Sequence, residues 1–165
     1  MPPRSHIRLS HATAVAYLAL FVALGGGAGL FPHAPGTAGT LIAFPLFWAL
    51  ESYCPVAVQI GFLAGGFLIG IWVCGITGRA LGVADHGAMV WDEVIAFALV
   101  LFFTPPGWKW KLGAFAAFRF FDILKPPPIR YFDSKFKSGF SVMFDDLLAA
   151  GYTLIVLAVL RVAVV

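Results

Sequence analysis

The sequence predicts an all-α fold, a multi-pass membrane bundle of about five to six helices, some of them short or re-entrant. Two observations indicate it. The chain is 61% hydrophobic and only 12% charged, whereas a typical soluble domain is about 25% charged. The charges are also grouped, because residues 9–50, 52–78, 94–108 and 147–160 contain no Asp, Glu, Lys or Arg. A membrane-spanning helix needs roughly 20 apolar residues, so two of these stretches are long enough and two are marginal.

The first half of the chain divides at glycines and prolines. Residues 12–30 are predicted to form a helix weakened by four glycines. Residues 31–40 contain two prolines and two glycines, which is typical of a structured loop. A short helix over residues 41–50 follows, with Thr37 or Thr40 as its N-cap.

The second half contains the clearest span, residues 56–77. Its Gly61-x-x-x-Gly65 and Gly66-x-x-x-Gly70 spacings permit close packing against another helix. Three further helices are predicted, over residues 91–104, 112–124 and 142–165, with polar segments between them. We expect residues 1–165 to form a single membrane-embedded domain, in which residues 1–11 are a short polar N-terminal tail.

The formal charge of +3 does not indicate a nucleic-acid partner, because the basic residues form no long stripe. Basic residues beside apolar helices are more typical of contact with anionic lipid headgroups. The membrane is therefore the expected partner.

The carboxylates are unevenly placed. Apart from Glu51, all of them lie in or near two polar segments, residues 82–93 and 122–146: Asp85, Asp92, Glu93, Asp122, Asp133, Asp145 and Asp146. A carboxylate in apolar surroundings costs several kcal/mol unless it is paired or bound to a cation. Two acidic doublets at the mouths of apolar helices therefore need an explanation.

Helix capping is one explanation, since an acidic residue in a first helical turn contributes about 0.3–1 kcal/mol. Capping accounts for one residue of each doublet, but it leaves Asp122, inside another helix, without a reason. Hard oxygen ligands from several helices are what Mg²⁺ uses, together with waters and a substrate phosphate. The pattern favours a divalent-metal site over capping alone.

Basic residues accompany the acidic ones. Arg119, Asp122 and Lys125 follow one another at spacings of three, so each adjacent pair lies within about 60° around a helix. Arg119 and Asp122 could form a purely structural pair. Alternatively, Arg119 or Lys125 holds a phosphate while Asp122 binds metal. The spacing alone leaves both interpretations open.

Two weaker features lie nearby. The glycines of residues 35–40 would let backbone N–H groups approach an anion, although a plain turn is favoured. His86, between Asp85 and Gly87, could be a ligand, an acid/base group or a turn residue, and the turn is favoured again.

Four stretches, taken together, resemble the phosphatidylglycerophosphatase A family of bacterial membrane lipid phosphatases. They occur in that family's order and spacing, and the resemblance covers roughly residues 29–151. The stretches are residues 35–40 (PGTAGT), 85–93 (DHGAMVWDE), 118–129 (FRFFDILKPPPI) and 143–146 (MFDD).

The resemblance implies a Mg²⁺-dependent phosphomonoesterase of phospholipid biosynthesis. It would hydrolyse phosphatidylglycerophosphate to phosphatidylglycerol and phosphate. Because that substrate is made in the cytoplasm, the site is expected on the cytoplasmic side of the bacterial inner membrane. The family's polar signature falls on Thr37, Asp85, Asp92, Glu93, Arg119, Asp122, Lys125, Asp133, Asp145 and Asp146.

The expected roles follow from that signature. Asp92, Glu93, Asp122 and Asp146 are the catalytic residues, and the same four with Asp145 are the metal ligands. Thr37, Thr40, Arg119 and Lys125 bind substrate. Asp85, His86 and Asp133 have no assigned role. Attack by water and a phospho-aspartate route both stay open.

The chain departs from the family's usual pattern at three positions. Thr40 replaces a serine, and Ser138 and Ser141 replace glycines. Since glycine supplies backbone freedom, the turn at residues 137–143 is expected to differ from the family's.

Helix parity brings the polar segments together. Two predicted helices separate residues 35–40 from residues 85–93, and two more separate the latter from Asp145. If each helix crosses, all three segments face one side. A cation transporter or channel predicts carboxylates near helix midpoints and often a repeat, and no repeat is visible. A non-catalytic membrane scaffold does not explain the grouped charges.

Overall fold

The computed structural model describes residues 11–131 and 138–164, and within these ranges the chain is helical with no strand. The predicted all-α bundle is therefore confirmed. A 3-10 segment, Gly25–Leu30, joins the first two of the described α-helices. These are α1 His11–Ala23, α2 Pro35–Tyr53, α3 Val56–Leu81, α4 Trp91–Phe103, α5 Trp108–Leu124 and α6 Gly139–Val164.

Helix α4 lies at the centre of the bundle and packs against α2, α3 and α6. Phe97 is fully buried, and its ring centroid lies 5.2 Å from Phe44, 5.9 Å from Phe115 and 5.4 Å from Phe118. A helix that is apolar on all faces is stable only where neighbours cover it. This packing fixes the position of the α4 N-terminus, which carries Asp92.

Two described helices, α3 and α6, are long and apolar enough to cross a membrane. The helix predicted over residues 56–77 is confirmed and continues to Leu81. Helix α4 has only 13 residues, fewer than the roughly 20 that a bilayer requires. Its neighbours shelter it, as expected for a short helix within a membrane bundle.

The predicted loop over residues 31–40 is wrong in its second half, because α2 begins at Pro35. Proline suits a first helical position, since its φ is already helical and its missing N–H is not needed there. The N-cap is Ala34, so the predicted caps Thr37 and Thr40 lie inside α2 instead.

Other predicted boundaries also shift. The helix expected over residues 12–30 is two elements, because Gly26 and Gly27 adopt φ values of 67° and 109°. Those left-handed conformations suit glycine and interrupt a right-handed helix. Helices α5 and α6 begin at Trp108 and Gly139, earlier than the predicted residues 112 and 142.

The start of α6 is held by two serines. The Ser138 backbone N–H donates to Ser141 Oγ over 2.9 Å, and the Ser141 backbone N–H donates to Ser138 Oγ over 3.3 Å. This reciprocal arrangement is a capping box, which satisfies two N–H groups that the helix itself leaves unpaired. The two serines therefore define the helix start at the positions where the family resemblance implies glycine.

Gly139 marks the closest approach of α6 to α3. A Cβ atom at Gly139 would overlap the Ile71 carbonyl oxygen and lie 2.9 Å from Gly75 Cα. Because these are backbone atoms, no side-chain rotation can make room. The two long helices can cross at this distance only while residue 139 has no side chain.

We expect Gly139→Ala to lower the free energy of unfolding by about 1–3 kcal/mol, the usual cost of overpacking. Thermal unfolding of the detergent-solubilised protein measures this change. Gly151→Ala is the matched control on the same helix, since a Cβ there meets nothing within 4 Å. Equal destabilisation by both substitutions would contradict the close approach.

Candidate active site

One cavity of about 360 Å³ collects residues from the beginnings of α2, α4 and α6, the end of α5 and the loop before α4. The polar segments therefore face the same side of the bundle, as helix parity predicted. The charged residues that line the cavity are Asp85, Asp92, Glu93, Arg119, Asp122, Lys125, Asp145 and Asp146.

Three carboxylates meet at the base of this cavity. One oxygen from each of Asp92, Glu93 and Asp146 lies within 4.8 Å of the other two. Asp92 and Asp146 are buried, with 6% and 4% of their surface exposed. Within the described part of the chain, Asp92 Oδ1, Glu93 Oε2 and Asp146 Oδ2 are buried without a hydrogen-bond partner.

Such an arrangement is unfavourable without a positive charge. Each buried carboxylate loses its hydration, and neighbouring like charges repel one another. Oxygen atoms at this spacing could share a small divalent cation, which takes carboxylate ligands together with water and phosphate oxygens. The donor set therefore fits a hard cation such as Mg²⁺.

Arg119 lies beside this cluster and contacts three elements of the bundle. Its Nη1 atom is 2.5 Å from Asp122 Oδ2 and 3.8 Å from Glu93 Oε1. It also donates to Thr40 Oγ1 over 3.5 Å. The structural pairing of Arg119 with Asp122 is therefore present, yet both residues still line the cavity. A pre-oriented guanidinium of this kind suits a phosphate ligand.

Lys125 provides a second cation from the end of α5. Its Nζ atom is 2.6 Å from Asp145 Oδ2. Pro126 follows, and a residue before proline is disfavoured in the helical region. Lys125 ends the helix with a left-handed φ of 44°, and its side chain reaches Asp145 on α6.

The two acidic doublets occupy different helical positions. Asp92 and Glu93 lie in the first turn of α4, where the helix dipole favours negative charge. The first turn of α6 contains no acidic residue, because α6 begins at Gly139. Capping therefore does not account for Asp145 and Asp146, and the prediction that they begin their helix is wrong.

The remaining predicted site residues are further from the cluster. Thr37 does not line the cavity, so its role stays a prediction. Thr40 is fully buried and donates to the Gly36 carbonyl over 2.8 Å, which places it behind Arg119. His86 is exposed, and its Nδ1 accepts the Ala88 N–H over 3.2 Å, as a turn residue would.

Two further acidic residues, Asp85 and Asp133, were predicted as site residues without an assigned role. Asp85 is exposed on the loop before α4 and lines the cavity. Asp133 lies outside the described residues, and its role stays a prediction.

Gly36 is a site residue that the sequence alone did not single out. A Cβ atom there would overlap Glu93 Oε1 and lie 3.0 Å from Arg119 Nη1. The glycine therefore lets the first turn of α2 approach both side chains. Its place within the PGTAGT stretch was the available signal, but only the packing shows what it touches.

Comparisons with known proteins support one family. The model of the phosphatidylglycerophosphatase A family matches residues 21–161. A protein of Haemophilus influenzae named phosphatidylglycerophosphatase A is 49% identical over 82% of this chain and 83% of its own length. An Escherichia coli protein of the same name is 40% identical, covering 78% of this chain and 74% of its own.

A third relative carries a different name. A protein of Bacteroides thetaiotaomicron, provisionally named a phosphatidylinositol-3-phosphatase, is 36% identical over 88% of this chain and 94% of its own length. No solved structure matches the chain. The family model covers far more than half of the sequence, and the two most identical of these relatives share its name. The chain therefore belongs to the phosphatidylglycerophosphatase A family, a family of phosphatases.

Proposed function

We propose that this protein hydrolyses the terminal phosphate of phosphatidylglycerophosphate and releases phosphatidylglycerol and inorganic phosphate. The observation that carries the proposal is the cavity in which Asp92, Glu93 and Asp146 converge beside Arg119 and Lys125. The cavity thus combines three proposed metal ligands with two cationic side chains that can bind a phosphate. The names of the relatives from Haemophilus influenzae and Escherichia coli supply the substrate.

Asp92, Glu93 and Asp146 are the proposed magnesium ligands. They fit because each has a buried oxygen without a partner among the described residues. Asp122 and Asp145, two of the five ligands expected from the family, instead pair with Arg119 and Lys125. When bound, Mg²⁺ supplies charge neutralisation at the phosphoryl oxygens. The three-carboxylate set is thus smaller than the set of five that the resemblance implies.

Arg119 and Lys125 bind the phosphate in this proposal. Asp122 and Asp145 hold the two cations at the cavity wall, so that little side-chain freedom is lost when the substrate arrives. Phosphoryl transfer depends mainly on positioning and on stabilising charge at the equatorial oxygens. Hydrolysis breaks the bond between phosphorus and the glycerol oxygen. Water contributes the new oxygen on phosphorus, and one of its protons goes to the glycerol oxygen.

We place the cavity on the cytoplasmic side of a bacterial inner membrane. The named relatives are bacterial, and a phospholipid precursor made in the cytoplasm reaches the enzyme from that side. The α3 and α6 helices provide the anchorage. A phospholipid then needs only to move laterally for its headgroup to enter the cavity.

Two other functions are less well supported. In a cation transporter, carboxylates are expected within the membrane along an ion pathway, whereas the described cluster lies in one cavity, with Asp92 and Glu93 in the first turn of α4. A scaffold without activity gives no reason to bury Asp92 and Asp146 beside Glu93. Phosphate release from purified protein separates the three functions.

We expect chelation of divalent metal to lower phosphate release on the order of 10³-fold, since a metal contributes several kcal/mol to the transition state. Added Mg²⁺ should restore the activity. The measurement is inorganic phosphate released from phosphatidylglycerophosphate in mixed micelles, with phosphatidylinositol 3-phosphate as the comparison lipid. Activity that survives chelation would contradict the proposed metal requirement. Preference for the inositol lipid would contradict the proposed substrate.

A further inference from the structure

We propose that an apolar groove formed by α3, α4 and α6 binds one acyl chain of the lipid phosphate substrate. This inference rests on the proposed function, since it assigns the lipid part of the same substrate. The groove has a volume of about 540 Å³, and every residue that lines it is apolar.

The groove has a buried floor and an exposed rim. Ile95, Ala96 and Met143 form part of the floor and are all buried. Leu68 and Phe103 form part of the rim and are 66% and 61% exposed. A rim of this kind is open to the hydrocarbon layer, so a chain can enter from the side without crossing water.

The groove and the polar cavity lie along the same face of α4. Ile95, Leu99 and Phe103 line it, and they follow Asp92 by three, seven and eleven residues. At 100° per residue these positions lie within about 60° of Asp92 around the helix. On α6, Met143 lies three residues before Asp146. On α4 the groove residues therefore follow the carboxylate along one helix face, and on α6 Met143 and Leu147 place the groove beside Asp146.

The dimensions suit a chain that is attached to a bound headgroup. The step from Ile95 to Phe103 spans about 12 Å along the helix axis. The polar cavity has a volume of about 360 Å³, and eight of the residues that line it are charged, so it suits a phosphate better than a hydrocarbon chain. Once the phosphate is held there, the chains must leave it toward the membrane interior. The groove is the apolar surface that begins on the same face of α4.

Bulk lipid also touches the outside of such a bundle, but it differs from the substrate in one respect. Only the substrate is anchored by its phosphate at Arg119 and Lys125. Anchoring makes occupancy of the groove effectively intramolecular, which raises the local concentration of the chain there. The proposed occupant is therefore the substrate's own acyl chain.

Filling the groove tests this inference. Ala64 is exposed and lines the groove, so Ala64→Trp blocks it without displacing the core. We expect kcat/KM for dioleoyl phosphatidylglycerophosphate to fall about tenfold, a loss of substrate binding and positioning. The dibutanoyl analogue, whose chains are too short to extend along the groove, should be hydrolysed at the wild-type rate.

Ala57→Trp is the matched control, since Ala57 is exposed on the same helix but lies outside the groove. It should leave both substrates unaffected. Equal losses for the two tryptophan variants, or an Ala64→Trp variant with full activity on the dioleoyl lipid, would overturn the inference. Absence of wild-type activity on either lipid would instead overturn the proposed function, so the two failures are distinguishable.

A binding measurement on the wild-type protein gives an answer even if Ala64→Trp does not fold. A phosphatidylglycerophosphate with a photoreactive diazirine in one acyl chain is added to the protein in phosphatidylcholine nanodiscs. We expect cross-links to Leu99 and Phe103 that excess unlabelled substrate removes and additional phosphatidylcholine does not. Removal by phosphatidylcholine to the same extent would show that bulk lipid occupies the groove and would overturn the inference.

Discussion

Asp146→Asn is expected to lower kcat on the order of 10³-fold or more, while the helical bundle stays folded. The substitution keeps the shape of the side chain but removes one charge from three oxygens that lie within 4.8 Å of each other. A neutral amide is a poor ligand for Mg²⁺, which prefers carboxylate oxygens. Phosphate release from phosphatidylglycerophosphate under saturating Mg²⁺ measures the loss.

Stability provides an independent readout of the same residue. In the absence of Mg²⁺, removing a buried charge relieves repulsion, so Asp146→Asn should unfold at the same temperature as the wild type or higher. Added Mg²⁺ should raise the Tm of the wild type by mass action but leave the variant nearly unchanged. A variant whose Tm responds to Mg²⁺ as the wild type does would contradict the ligand assignment.

Glu51→Gln is the matched control for this loss of charge. Glu51 is exposed and pairs with Lys111 over 3.4 Å, away from the cavity. An exposed pair of this type contributes little to stability. We therefore expect activity and the Mg²⁺ response of the Tm to remain at wild-type levels. A large loss of activity in this variant would mean that the overall charge of the protein, rather than the carboxylate cluster, determines activity.

The grouping of charges made most of the architecture predictable. Long stretches without charge locate helices because burying an unpaired charge in lipid is costly. Helix parity then places the ends that carry Asp92, Asp122 and Asp146 on one side, where the structure has them. These inferences need only the order of apolar and polar segments, which the sequence states directly.

Helix starts were less predictable, because the signals for a loop and a helix start overlap. Pro35 and Gly36 are residue types typical of a turn, yet proline is also a favourable first helical residue. In the sequence, Ser138 and Ser141 differ from the glycines that the family resemblance implies, whereas in the structure they form a capping box. Such distinctions depend on tertiary packing, which decides between two locally acceptable conformations.

The separate roles of the acidic residues can be assigned only from the three-dimensional structure. Sequence spacing left Arg119 and Asp122 as either a structural pair or two separate site residues. The structure shows a pair at 2.5 Å that also lines the cavity. It likewise separates Asp145, which pairs with Lys125, from its neighbour Asp146, which joins the unpartnered cluster. Adjacent residues on a helix point about 100° apart, so the two members of this doublet contact different groups.

Gly36→Ala is expected to lower kcat/KM about 100-fold, because small displacements of catalytic groups have effects of this size. The new methyl group would overlap Glu93 Oε1 and press on the Arg119 guanidinium. These are the ends of side chains, not backbone, so the fold can accommodate the methyl group by moving them. The movement displaces a proposed metal ligand and a proposed phosphate-binding group together. Phosphate release and Tm, measured on the same samples, separate activity from stability.

Gly87→Ala is the matched control, since Gly87 lines the same cavity but a Cβ there meets nothing within 4 Å. It should retain both activity and Tm. In Gly36→Ala we expect a Tm within a few degrees of the wild type, and alanine's higher helix propensity, worth about 1 kcal/mol over glycine, offsets part of any strain. A Gly36→Ala protein with wild-type kcat/KM would mean that Glu93 and Arg119 need not hold their observed positions. The proposed roles of Glu93 and Arg119 would then be wrong, whereas the chain would still belong to the family.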